Sequence, residues 1–247
     1  MPGDPTSDLQ PQALEALTAL FALKSDWAGS LVLSIGLNAQ GRAFAIASNI
    51  AGAVSLSIDN SPDDIREVVR TGAVDFVVNT LDEAIRAMKN EVRKRAPLSV
   101  ALAASPSRAL AEIVSRGLAP ALVTIFTSTQ ELEPVVATSS EAFKELGATL
   151  IDFTATSHVP GYRLAGELIA SITRPNGWEL STLTFNSSAE QRAFDTRAAA
   201  MLAPGDHLRR RWLDAVPRIL QRQRPSQRSL WLTPAEAEQL LSAEKRS

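Results

Sequence analysis

The stretch Leu33–Asp59, "LSIGLNAQGRAFAIASNIAGAVSLSID", decides how the chain is read. An apolar run ends at Gly36, a short turn follows, a slim segment passes through Ala39, Gly41, Ala43, Ala45 and Ala47, and a second apolar run ends on Asp59. The order is strand, turn, helix, strand, with an acid 23 positions after the first glycine. In a dinucleotide-binding fold such a turn aims backbone N–H groups and the positive helix end at phosphate, and the acid meets the ribose hydroxyls. Only Gly36 and Gly41 stand in this turn, where the G-x-G-x-x-G fingerprint has three glycines. The spacing fits ribose recognition, while the turn is short of bare backbone.

Working outward, apolar or β-branched runs recur at Leu31 to Ile35, Ala53 to Ile58, Phe76 to Val78, Leu98 to Leu102, Ala121 to Ile125 and Thr149 to Phe153. Runs apolar throughout are expected of strands buried on both faces. Amphipathic segments lie between them and carry helix-capping starts at Ser61, Thr80 with Glu83, Ser105, and Ser139 or Ser140. Gly72, Gly117 and Gly147 supply left-handed stops. Alternation of this kind predicts an α/β fold: a doubly wound, mostly parallel, Rossmann-like sheet in three αβα layers. An N-terminal helix, with Leu14, Leu17, Leu20 and Phe21 on one face, is expected to pack on that sheet.

Beyond Phe153 the pattern weakens. A helix around Gly166 to Ile172, a turn at Thr173 to Trp178, a strand in "WELSTLTF", helices from Ala189 to Met201 and Pro204 to Gln221, a strand "RSLWL" and a last helix from Thr233 are expected. Residues 1–153 are thus read as the Rossmann-like domain and 154–247 as a small α+β extension packed on it.

Composition limits the function classes. Hydrophobic residues make up 45% of the 247, charged residues 21%, and the net charge is −2, which describes a globular chain with no electrostatic pull toward nucleic acid. No apolar run reaches the roughly 18 residues that span a bilayer, and the polar start "MPGDPTSDLQPQ" lacks a signal-peptide pattern. The expectation is a cytoplasmic protein without membrane or nucleic-acid partners. There is no cysteine and only two histidines, His158 and His207, so no metal site is expected. His158 in "TATSHVPGYR", with Tyr162 and Arg163 beside it, follows the sixth strand at the edge where α/β ligands bind, and a solvent-exposed loop histidine is the plainer reading. The acid pairs Asp63–Asp64 and Asp82–Glu83 sit at helix starts, where the macrodipole accounts for them. Arg209, Arg210, Arg211, Arg218, Arg222, Arg224 and Arg228 form a basic cluster suited to an acidic partner or to dimer contacts, with Trp212 and Trp231 nearby as candidate stacking surfaces.

Taken in order, "EALTALFALKSDWAGSLVLSIGL", "AQGRAFAIA", "VSLSIDNSPDDIREVV", "NTLDEAIRAMKNEVRKRAPLSVAL" and "EIVSRGLAPALVTIFTS" resemble the NAD-binding domain of urocanase (urocanate hydratase) over about residues 13 to 131. The resemblance implies a Rossmann-like domain of a family in which NAD acts as an electrophile toward the urocanate imidazole, so that water adds to the side chain. Gly36 and Leu37 match the start of the family's glycine-rich turn, and Asn38 leads into Ala39 and Gln40, which match its end. Asp59 matches the ribose acid, and Thr127 and Ser128 match a segment that faces NAD. The central glycines of the turn are missing, Ile125 and Phe126 replace an Asp-Gln, Gln130 replaces a His, and Ala104 and Ser105 replace a Gly-Asn. The family's active-site cysteine and its Asp-Tyr-Gly-Asn-Asn stretch have no counterpart, so no catalytic residue is assigned.

The cofactor-binding set expected is therefore Gly36, Leu37, Asn38, Ala39, Gln40, Asp59, Thr127 and Ser128. Three functions follow. One is binding of NAD or a smaller nucleotide-like ligand at the Gly36 turn. Another is a vestigial pocket with an interaction or homodimerisation role through the Arg-rich C-terminal region. The third is an NAD-dependent hydro-lyase working without cysteine.

Overall fold

The computed structural model describes residues 9–126, 133–153, 161–220 and 226–244. Along the chain run α1 (Leu9–Leu23), β1 (Leu31–Ile35), α2 (Ala39–Ala51), β2 (Val54–Asp59), α3 (Pro62–Thr71), β3 (Phe76–Val78) and α4 (Leu81–Lys94). Next come β4 (Leu98–Ala103), α5 (Pro106–Ser115), β5 (Leu122–Ile125), α6 (Glu133–Glu145), β6 (Thr149–Asp152) and β7 (Arg163–Leu164). The remainder is α7 (Ala165–Asn176), β8 (Glu179–Thr184), α8 (Ser188–Met201), α9 (His207–Ile219), β9 (Gln227–Leu232) and α10 (Pro234–Glu244).

Seven strands pair in the order β3-β4-β2-β1-β5-β6-β7, every pairing parallel. Strand order reverses between β1 and β5, which makes their carboxyl ends the topological switch point. Leu33, Ile35, Val54, Leu56, Ile58 and Val100 face one core with α4, α5 and α6, and Val32, Ala101, Leu122 and Ile151 face the other with α2. Under α2 the sheet presents small residues, among them Ser34, Ser55, Ser57 and Ala101, all buried. The Ser34 hydroxyl donates to Ser57 at 2.8 Å, so the slim helix rests on a flat, internally bonded floor.

Five elements differ from the sequence reading. The helix α1 packs chiefly on α2 and α7, then on β9 and α9, rather than on the seven-stranded sheet. It is apolar on more than the one face singled out, since Leu9, Ala13, Ala16 and Ala19 are also buried, and a helix buried all round becomes an inner layer. Ser139 and Ser140 lie inside α6, which starts at Glu133 with a proline in its first turn, where a missing N–H is harmless. Ser105 stands at the N-cap of α5 but makes no capping bond, because its hydroxyl meets Ser107 at 3.1 Å. Thr173 to Asn176 continue α7, and the turn begins only at Gly177 (φ 62), where Trp178 N–H bonds Thr173 O and Gly177 N–H bonds Arg174 O. The short strand β7 has no apolar run to announce it.

The late strands β8 and β9 form a separate antiparallel pair. Phe185, Phe194, Trp212, Leu230 and Leu232 join the core that contains α1 and α2. Gln10 of α1 donates to Gln227 O at 2.7 Å and accepts from Ser229 N–H at 3.1 Å, fastening the first described helix to the last strand.

Candidate functional site

Gly36 follows β1 with φ 97, a conformation that L side chains avoid, and its N–H bonds Ile58 O at 2.8 Å. Its carbonyl lies so close to the first turn of α2 that a Cβ on Gly41 would collide with it. Both glycines of the turn are thus explained by its own backbone, whatever it binds.

Asp59, only 8% exposed, closes the turn from the neighbouring strand. Its Oδ2 accepts Leu37 N–H at 2.6 Å and its Oδ1 accepts Ser61 N–H at 2.7 Å. A carboxylate has about four acceptor positions, and these bonds use two of them. Asn38, at the N-cap of α2, accepts from Gly41 N–H at 3.0 Å through Oδ1 and donates to Phe126 O at 2.5 Å through Nδ2. That second bond crosses the switch point and ties the end of β1 to the end of β5.

Arg42 points back along α2, as helical side chains do. It is 6% exposed; Nη1 donates to Leu37 O at 3.1 Å and lies 3.5 Å from Asp64, while Nε has no partner among the described residues. Burial lowers its pKa, with Glu67 and Asp64 opposing that effect. Phe44, Phe126 and Phe153 pack mutually with ring centroids 5.5 to 5.6 Å apart, filling the space between α2 and the ends of β5 and β6.

The accounting of donors is then short. Gly36, Leu37 and Gly41 N–H have internal acceptors, whereas Asn38, Ala39 and Gln40 N–H have none among the described residues. Asn38 and Gln40 are exposed, and the first turn of α2 holds no acid. The residue set expected from sequence is brought together at one edge, from Gly36 to Gln40 and Asp59. Thr127, Ser128 and His158 lie outside the described residues.

A family model described as the urocanase Rossmann-like domain matches residues 13–136, from α1 to the start of α6. The chain belongs to the urocanase family. NAD, the cofactor the family implies, does not find the usual cradle here. The residues from Leu37 to Gln40 all carry side chains, Leu37 N–H is bound to Asp59, and Asn38 bridges the crevice a dinucleotide would cross. No catalytic step is derived through it.

Outside the turn, the arginine cluster divides. Arg209 is buried and pairs with Asp206 at 2.5 Å and Glu236 at 2.8 Å, its guanidinium 4.4 Å from the Trp178 ring. Burial works against its charge, but the bonds from Glu236 and Asp206 outweigh it and raise its pKa. Arg228, 2% exposed, makes a two-pronged pair with Asp195 at 2.7 and 2.8 Å. These two hold the C-terminal elements together. Arg210, Arg211 and Arg218 line the surface of α9 instead, and Arg222 and Arg224 lie outside the described residues. Trp212 and Trp231 are core residues, with indole N–H bonds to Ser229 O at 2.7 Å and Thr18 Oγ1 at 2.8 Å, and neither offers a stacking face. Tyr162 is likewise buried, bonded to Ser140 at 2.9 Å, and burial raises its pKa. Among the described residues no cluster of His, Asp and Glu is placed to hold a metal, and no helix is long and apolar enough to cross a membrane.

Proposed function

We propose that this urocanase-family chain binds a compact phosphate-bearing ligand, of mononucleotide size, at the Gly36 to Gln40 turn, and does not hydrate urocanate. The observation that carries this reading is the trio of adjacent N–H groups on Asn38, Ala39 and Gln40 without an acceptor among the described residues, at the positive end of a 13-residue helix and at the switch point of the sheet. The phosphate sits on that trio, and the free acceptor positions of Asp59 take ribose hydroxyls. The side chains between Gly36 and Gly41 leave less bare backbone than a pyrophosphate needs. Isothermal titration at millimolar concentrations tests it: AMP gives saturable heat and binds more tightly than NAD, NADH or ADP-ribose. Absence of heat with all four removes the proposal. Urocanate absorbance is expected to stay constant on adding protein and NAD, and a fall would restore the hydro-lyase reading.

A second reading, a turn closed on itself and an interaction role for the Arg-rich C-terminal region, is favoured by one observation. Asp59 and Asn38, the two polar side chains best placed for a ligand, already bond backbone groups of the turn, of Ser61 and of Phe126.

A further inference from the structure

Two adjoining hollows, of about 930 and 730 Å3, open at the amino-terminal edge of the sheet, opposite the Gly36 turn, and share Asn49, Pro97, Arg218 and Ile219. Their combined chemistry is divided. One end is cationic: Arg210, Arg211 and Arg218 of α9 converge there with Arg95, against Asp214 in the same lining and Asp26, which pairs with Arg95. The other end presents Val69 and Phe76, which are 58% and 55% exposed, beside the carboxylate of Asp75, already engaged by Ser99 N–H at 2.8 Å and Asn49 Nδ2 at 3.3 Å. We propose that this groove binds an acidic peptide segment carrying one large apolar side chain, its carboxylates on the guanidinium groups and its apolar residue against Phe76 and Val69.

The guanidinium groups are prepared for such a partner. Whereas buried Arg209 and Arg228 each have carboxylate partners, neither Arg210 nor Arg218 has one among the described residues. Arg210 is fixed by donating to the carbonyls of Leu202 and Ala203. Arg211 lies 6.0 Å from the Phe21 ring and against Gly52, where an added Cβ would approach its Nη2 to 3.1 Å. Arg95 adds an independent sign. It is the one described non-glycine residue in the left-handed region, with φ 58, at a helix end where glycine would relieve the strain. Its side chain reaches Asp26 at 2.6 Å, which holds it at the groove mouth. Strain kept where a particular side chain is wanted marks functional surfaces. In a protein of net charge −2, a cationic cleft also draws acidic segments selectively, and planar guanidinium forks suit carboxylates. The length across two hollows, with charge at one end and apolar surface at the other, favours an extended segment over a compact anion.

This inference rests on the second reading above and is independent of the nucleotide one. The test is fluorescence anisotropy of the full chain with a fluorescein-labelled peptide bearing a run of glutamates followed by one Phe. Saturable binding is expected that weakens with added salt, falls about tenfold in Arg218→Glu and several-fold in Phe76→Ala. Arg95→Gly is expected to raise the melting temperature while weakening the peptide, which separates binding from folding. AMP titration of Arg218→Glu should match the parent, so failure of one site leaves the other measurable. The proposal falls if the peptide does not bind or if Phe76→Ala is silent. It also falls if inorganic tripolyphosphate displaces the peptide with equal affinity, because the groove would then be a site for compact anions.

Discussion

Asp59 Oδ2 accepts the N–H of Leu37 at 2.6 Å, so the last residue of β2 closes the turn that leaves β1. The acid read from sequence as a ribose contact is therefore also the clasp of the turn. Asp59→Ala leaves the buried Leu37 N–H without an acceptor and is expected to destabilise by about 1–3 kcal/mol. A lower urea midpoint with an unchanged m-value is the expected outcome. A midpoint equal to the parent's would show that the clasp adds nothing.

Gly41 offers a prediction with a reversed sign. Glycine to alanine inside a helix ordinarily stabilises by about 1 kcal/mol. At Gly41 the new Cβ would strike the Gly36 carbonyl, a backbone atom that cannot swing aside. Gly41→Ala should lower the thermal midpoint, and a rise would mean the turn yields easily.

Ala39 tests the ligand without testing the fold. It is the first residue of α2, where proline is tolerated because that N–H has no helical partner. Ala39→Pro removes one of the three free donors, so AMP binding should weaken while the circular dichroism melt stays within a few degrees. Unchanged affinity would place the phosphate elsewhere.

The Arg228–Asp195 pair is buried, so breaking it from one side is expected to be severe. Arg228→Ala strands the Asp195 carboxylate and should cost about 3–5 kcal/mol, whereas Arg228→Met with Asp195→Leu should recover most of it. Equal losses in the single and double variants would contradict a desolvated pair.

Glu236 gives the pH dependence. Its burial favours the neutral acid, but bonds from Arg209 and from Thr233 N–H prevail and hold its pKa below the usual 4.5. A depressed folded pKa contributes stability present above the unfolded value and lost as pH falls through the folded one. The parent should therefore lose more stability than Glu236→Gln on going from about pH 5 to 3. Parallel curves would show that the pair is not linked to folding.

The strands were legible because short apolar runs bounded by glycine and proline have few other uses. Leu31 to Ile35 and Phe76 to Val78 coincide with β1 and β3. The turn was legible as a group, since Gly36 to Gln40 and Asp59 meet at the switch point. What spacing does not encode is which partner each polar group takes. A sequence cannot show that Asp59 and Asn38 also bond backbone groups of their own fold. The arginine cluster divides for a simpler reason: neighbours on a helix point about 100° apart. Arg209 shares the inward face of α9 with Trp212 and Val216, and Arg210 and Arg218 do not.

The bridge made by Gln10 bears on when the protein can finish folding. Its partners Gln227 and Ser229 lie 217 and 219 residues further on. During synthesis, α1 therefore waits more than two hundred residues for the strand that covers part of its apolar surface. The strands of the seven-stranded sheet are all made before β9, but the outer side of α1 stays uncovered until that strand follows, a window in which aggregation competes with folding.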